Sequence, residues 1–288
     1  MRNGYVPLQW LGCALLSAPF IVAVFAPLLA PYDPHLPVGR PLAAPTIEHP
    51  LGTNDLGQDT LSQLIYGARA SLSVAVAVAA ISTVLSWSVG LAAGFFRPVE
   101  GPLMALSDLL LALPNLPLYM LVVTLVGPSR LNLILVLALL SWPAFARVVR
   151  SVVIQTRSAP YVEAAGALGA TGARIAVRHL FPATLSLLPT KLILTVRFAV
   201  FAEATLAFLG LAEGGSVSWG TMLSHAFSDP LLFSRPVWPW LVLPPTLAIM
   251  ALILVTTWIS GQIEGLQRSG RRSSDSITAT TVLSRRGG

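Results

Sequence analysis

The sequence predicts an all-α protein, a polytopic bundle of six membrane-spanning helices. Three observations carry this. Of 288 residues, 55% are hydrophobic and only 10% charged, against about 25% charged in an ordinary soluble domain. The charge-free stretches 3–32, 72–96 and 236–263 each exceed the roughly 20 residues that a helix needs to cross hydrocarbon. The cations, all arginine except Lys191, stand singly at the borders of apolar segments. That is the topogenic pattern of a membrane protein and not the basic stripe of a nucleic-acid binder.

The elements follow in order. The first span covers 8–30, longer than the 7–15 residues of a signal core, and Pro31 directly follows its best small-residue site, so it reads as a retained span rather than a cleaved leader. It holds Cys13, the one cysteine, which rules out an intrachain disulfide and a cysteine-based metal cluster. The segment 31–71 is rich in Pro and Gly up to Gly57. Leu61, Leu64, Ile65 and Ala68 then fall at i, i+3, i+4 and i+7, predicting a separate amphipathic helix on the membrane or bundle. The second span covers 72–96. The third, 103–126, carries Asp108, Pro114 and Pro117, and its prolines require neighbouring helices to satisfy the carbonyls they free. The fourth is 131–149, the fifth 184–210 and the sixth 237–260, while the basic tail over 263–288 has the composition of a disordered segment. This divides the chain into an N-terminal span (1–30), an outer segment (31–71), a core (72–262) containing the loop 150–182, and the tail.

With the N-terminus inside, the inner segments hold Arg2, Arg97, Arg147, Arg150, Arg157, Arg174, Arg178 and the five tail arginines, whereas the outer segments hold Arg40, Arg69, Arg130 and Arg235. Twelve against four predicts both termini in the cytoplasm.

Several chemistries are excluded by what is missing. The sole lysine, Lys191, follows Pro189-Thr190 and has no phosphate-binding glycine loop before it. There is no His-Glu-x-x-His and no Gly-x-Ser-x-Gly elbow. Asp33, His35, Glu48 and His49 share the outer segment, where solvated loop residues are a plainer reading than a divalent-ion site. No catalytic constellation, metal or cofactor is expected in this chain, which reads as a non-enzymatic protein.

The loop 150–182 is the most informative stretch. Pro160 suits the first turn of a helix, Val162, Ala165 and Leu168 make a short apolar side, and Gly169 stops it. A second amphipathic turn through Ile175, His179 and Leu180 runs to Pro182. A small-residue helix held off the bilayer between two spans has the shape of a knob for a socket on a soluble partner.

These residues resemble a known family. Glu163-Ala164-Ala165, then Gly169, then Ile175-x-x-x-x-Leu180-x-Pro182 look like the EAA loop of binding-protein-dependent ABC importer permeases, with the leucine shifted by one from the usual Ile-x-x-x-x-x-Leu-Pro. Three further blocks, His49 to Asp59 with Tyr66-Gly67-Ala68-Arg69, Glu203 to Leu211, and Ser218 to Leu223, resemble the second permease subunit of dipeptide, oligopeptide and nickel importers. The resemblance covers about 30 to 265. Gln58 and Gln63 stand where that family usually has Arg, and Ile259-Ser260-Gly261-Gln262 replaces a common Leu-Gly-Asp-Gly.

The resemblance implies the type I ABC importer permease fold in a bacterial inner membrane. Its implied partners are a second permease subunit, two cytoplasmic ATPases that bind ATP and Mg, and an extracytoplasmic solute-binding protein. The implied cargo is peptide, with nickel chelates or glycans as alternatives. Tyr161, Glu163, Ala164, Ala165, Gly166, Leu168, Gly169, Ile175 and Pro182 would couple to an ATPase. An ion-coupled secondary carrier would instead show inverted repeats and paired intramembrane acids.

In the fifth span Lys191, Arg197 and Glu203 are six apart, on three helix faces about 120° apart. Lys191 is near enough to the inner border to snorkel. Arg197 and Glu203 lie about 9 and 18 Å further along at 1.5 Å per residue. A charge at the bilayer centre costs roughly 2.5–3.5 kcal/mol, so Arg197 is expected either to face the path or to pair with Asp108 of span three or with an acid on the second permease subunit.

Overall fold

The computed structural model describes residues 17–262; residues 8–16 of the first predicted span and the tail lie outside the described residues. Among the described residues the fold is helical, and the one β-type pairing is an isolated bridge between Thr53 and Asp59.

Residues 17–24 form α1 and Ala26–Leu29 form α2. Ala23 and Phe20 pack into the main apolar core beside α3. The loop 31–58 leads to α3 (Thr60–Phe95), a single helix of 36 residues. Here the structure corrects the sequence reading. Leu61, Leu64, Ile65 and Ala68 are not a separate helix, and no boundary falls at 71/72, because these residues are the first turns of α3. Asp59 caps it, accepting from the Ser62 backbone N–H at 2.8 Å and the Ser62 hydroxyl at 2.7 Å, and its other oxygen lies 3.0 Å from His49 Nδ1. This cap anchors the loop to the helix start.

α3 is the central rod, packing on α6 (Arg130–Leu140), α7 (Pro143–Arg157) and α11 (Leu188–Phe208). Its approach to α7 depends on two glycines one turn apart. A Cβ on Gly90 would lie 2.6 Å from Val149 Cβ and 2.7 Å from the Ala146 carbonyl oxygen, and one on Gly94 2.6 Å from Val153 Cγ1. Without a water-driven hydrophobic effect between helices in lipid, such close backbone contact is what holds them together. At the α6–α7 junction Ser86 donates to the Trp142 carbonyl at 3.1 Å.

Three helical stretches are long and apolar enough to cross a membrane: Thr60–Phe95, Arg130–Arg157 and Trp238–Gln262. The last comprises α13 (Trp238–Leu241) and α14 (243–262). Two more reach that length only as bent pairs. α4 (Arg97–Ala112) meets α5 (Asn115–Val126) at 95°, so the predicted span 103–126 is not one continuous helix. Leu113-Pro114 makes the corner: both residues are extended, and Pro114 cannot continue the hydrogen-bond ladder of α4. The stretch Gly172–Leu185 meets α11 at 56°. α12 (Trp219–Phe227) starts on a capping box between Ser218 and Thr221.

Candidate functional site

The loop between α7 and α11 is built from short pieces: α8 (Pro160–Ala167), α9 (Gly172–Ile175), a π turn (Ala176–Leu180) and α10 (Phe181–Leu185). Pro160 opens α8 and Glu163 lies in its first turn, where the helix dipole favours an acid. The helix ends in a Schellman turn: Gly169 N–H donates to the Gly166 carbonyl and Ala170 N–H to the Ala165 carbonyl, both at 3.0 Å, with Gly169 at φ +86°. That left-handed conformation is why glycine stands there.

Val162 is buried, at 3% exposure, whereas Leu168 at the tip is 89% exposed. The short apolar side predicted from sequence is therefore split: Val162 faces the chain's own bundle and Leu168 faces away from it. Glu163, Ala164 and Gly166 are exposed and Ala165 is partly so. Tyr161 is exposed, its ring 5.9 Å from that of His179. Ile175 packs inward against the cluster of Trp87, Val149, Val153 and Leu180, so it anchors the loop to the bundle rather than extending the exposed face. Pro182 opens α10 and is exposed.

The loop is tied to the rod at several points. Trp87 Nε1 donates to Thr184 Oγ1 at 3.0 Å. Arg157 donates to the Phe95 carbonyl at 2.9 Å and stacks over the Phe95 ring. Arg150 pairs with Glu100 and Arg147 with Asp108, joining α7 to α4. Of the alternatives open for Arg197, the pair with Asp108 is not formed, because Asp108 lies against Arg147.

Arg197 instead donates to Thr257 Oγ1 of α14 at 2.9 Å. Glu203, 3% exposed, sits where α11, α3 and α12 meet, with the Ser71 and Ser218 hydroxyls facing its carboxyl and Arg130 as the cation acting on it. Lying at the capped start of α12, it is placed as a junction residue. Arg197, Glu203 and Asp108 are thus held by three different partners and form no common site.

Lys191 is also not where linear position suggested. It does not snorkel: it is 3% exposed, with Nζ 5.2 Å from the centre of the Phe145 ring, and it lines a cavity of about 180 Å³ with Asn115, Tyr119, Ser141 and Thr195. Sequence reasoning missed this cavity because its walls come from three separate helical regions.

The outer-segment acids and histidines do not converge. Asp33 accepts from the His35 backbone N–H and His49 belongs to Asp59. Among the described residues no three His, Cys, Asp or Glu side chains are placed to hold a metal ion. Gln58 and Gln63, the two departures from the family's arginines, form a neutral clasp: Gln63 Nε2 donates to Gln58 Oε1 at 2.7 Å, and Asn54 Nδ2 donates to the same oxygen at 2.8 Å.

A helical bundle of apolar spans carrying an ordered loop between two of them is compatible with a transport permease. Residues 86–268 match the family described as "Binding-protein-dependent transport system inner membrane component", and the chain belongs to that family. It is 34% identical to the dipeptide transport system permease protein DppC of Alkalihalophilus pseudofirmus, over 84% of this chain and 79% of the relative. It is 35% identical to the di/tripeptide transport system permease protein DppC of Pseudomonas aeruginosa, over 81% and 78%. To the glutathione transport system permease protein GsiD of Pectobacterium atrosepticum it is 30% identical, over 81% and 77%. The chain is therefore a multi-pass membrane permease subunit of a binding-protein-dependent transport system.

Proposed function

We propose that this chain forms one half of the translocation path of a peptide importer and receives the work of ATP hydrolysis through α8. The observation that carries the reading is the exposed face of Glu163, Ala164, Gly166 and Leu168 on a short helix in a loop that is tied to α3 through Thr184 and Arg157. A leucine tip beside small side chains lets a partner's groove approach the backbone closely. In this scheme a second permease subunit completes the path and two cytoplasmic ATPases bind ATP and Mg. A solute-binding protein delivers the peptide on the outside, and both termini of a six-span chain lie in the cytoplasm. Closure of the ATPase pair moves α8, and the ties at Thr184 and Arg157 carry that movement into the rod as rigid-body alternating access.

The test is reconstitution of both permeases, both ATPases and the binding protein in vesicles, with uptake of dialanine and stimulated ATP hydrolysis measured together. Dialanine accumulation that needs all components is the expected result; accumulation without the ATPases would replace this reading by a self-sufficient carrier. Reporters fused after Arg97 and Arg178 are expected to read cytoplasm and those after Gly57 and Ser224 the outside. An outside location for 150–182 would end the docking proposal.

A further inference from the structure

A buried lysine without a counter-charge is expensive, and Lys191 is held in that state by the fold. None of the ion pairs among the described residues involves it, and Nζ has no hydrogen-bond partner among them. The ammonium lies over the face of the Phe145 ring. It stands in the first turn of α11, where the helix dipole opposes a cation rather than supporting it. Lys191 itself is 3% exposed, and what it faces is the cavity it lines.

The cavity it lines supplies what is missing. Tyr119, 1% exposed, lines the same 180 Å³ space, and its hydroxyl too lacks a hydrogen-bond partner among the described residues. Ser141, Thr195 and Asn115 line the same space among apolar residues such as Phe145, Leu194 and Phe198. Lysine can only donate, and the tyrosine hydroxyl on the same cavity can donate as well. Two unsatisfied groups able to donate on the wall of one cavity suit a ligand that only accepts. An ionised carboxylate is such a group, and the space suits one small residue attached to it. An intramembrane ionisable group is ordinarily part of a substrate pathway.

We propose that Lys191 and Tyr119 form a carboxylate subsite inside the translocation path, which holds the C-terminal carboxylate of a passing peptide. The inference rests on the peptide-importer reading and adds to it a specific recognition point. Asn115, Ser141 and Thr195 position the carboxylate, and Phe145 keeps the ammonium oriented while the site is empty. A peptide whose C-terminus is amidated loses this interaction.

The sole lysine of the chain makes the test direct. The full reconstituted complex is treated with formaldehyde and cyanoborohydride in the inward-facing state, and methylation at residue 191 is read by mass spectrometry of this chain. Dialanine is expected to slow methylation of Lys191 and dialanine amide to leave it unchanged. Equal protection by both, protection by neither, or no methylation at all would overturn the subsite. In parallel, Lys191→Met is expected to lower dialanine transported per ATP about tenfold, with Lys191→Arg recovering part of it and binding-protein-stimulated hydrolysis within about twofold of wild type. Tyr119→Phe is expected to act in the same direction more weakly. Unchanged uptake by Lys191→Met, or loss of hydrolysis together with uptake, removes the subsite and leaves a structural lysine. If wild-type complex imports no dialanine, the peptide reading itself fails, whichever way the lysine variants behave.

Discussion

The Trp87 indole donates a 3.0 Å hydrogen bond to the Thr184 hydroxyl, joining residues 97 positions apart where the loop meets the rod. Trp87 is 6% exposed and Thr184 fully buried, and Thr184 in turn donates to the Phe181 carbonyl at 2.7 Å. The bond therefore links α3 to α10, and through it to the loop. Trp87→Phe keeps most of the ring packing and removes the donor. The expected cost is about 1 kcal/mol, read as a lower melting temperature of the purified complex. Thr184→Val is expected to cost a similar amount, and the double variant less than the two together, because both lose the same bond.

Two glycines separate folding from docking. Gly90→Val drives a side chain into Val149 and the Ala146 carbonyl, and overpacking of this kind costs about 1–3 kcal/mol or more, so low membrane levels are expected on immunoblots. At Gly166 an added Cβ finds only Ile175 Cδ1, at 3.9 Å. Gly166→Ala is therefore expected to leave stability unchanged or raise it by about 0.5–1 kcal/mol. Reduced uptake by a Gly166→Ala complex of normal melting temperature would mark the close approach of an ATPase groove.

Asp59 serves the start of α3 and His49 together. Asp59→Ala is expected to destabilise by about 1–3 kcal/mol, since it removes the cap and leaves a buried imidazole unpaired. Asp59→Asn, which still accepts from Ser62, should cost less. Thermal melts of the two variants in one detergent decide the order; equal melting would show that the cap contributes little.

Bulk on α8 tests coupling. Ala165→Trp is expected to leave insertion near normal and to uncouple ATP hydrolysis from uptake or release the ATPases. Glu163→Ala should be milder, because an exposed ion pair contributes about 0–1 kcal/mol. Full uptake by the Ala165→Trp complex would show that another element couples.

The spans with uninterrupted apolar runs were legible, because a backbone in lipid must close its own hydrogen bonds and a long charge-free stretch has few other forms. The extent of α3 was not: Arg69 reads as a border in one dimension, yet a helix continues through the membrane surface when its outer turns pack, as Ala68 and Ser71 do. Pro114 signalled a break without setting its 95° angle, which depends on where α5 finds its core partners. In the loop, the Schellman end at Gly169 could be read from the glycine, whereas the inward turn of Ile175 could not. The pairing of Asp108 with Arg147 needs the relative register of α4 and α7, and the burial of Lys191 needs Phe145 and Tyr119 brought in from other helices. Sequence spacing carries neither.

The length of α3 has a mechanical meaning. At 1.5 Å per residue its 36 residues make a rod of about 54 Å, nearly twice the roughly 30 Å of hydrocarbon. Its glycine contacts with α7 lie towards one end and its capped start, bearing the His49–Asp59 clasp, at the other. A straight rod turning about its midpoint moves its two ends in opposite directions, so a 5° tilt displaces each by about 2 Å. A push delivered beside Trp87, about halfway from the midpoint to the end, is then felt at Asp59 as a displacement about twice as large and of opposite sense, a seesaw that needs no chain of rearranging side chains between the two faces of the membrane.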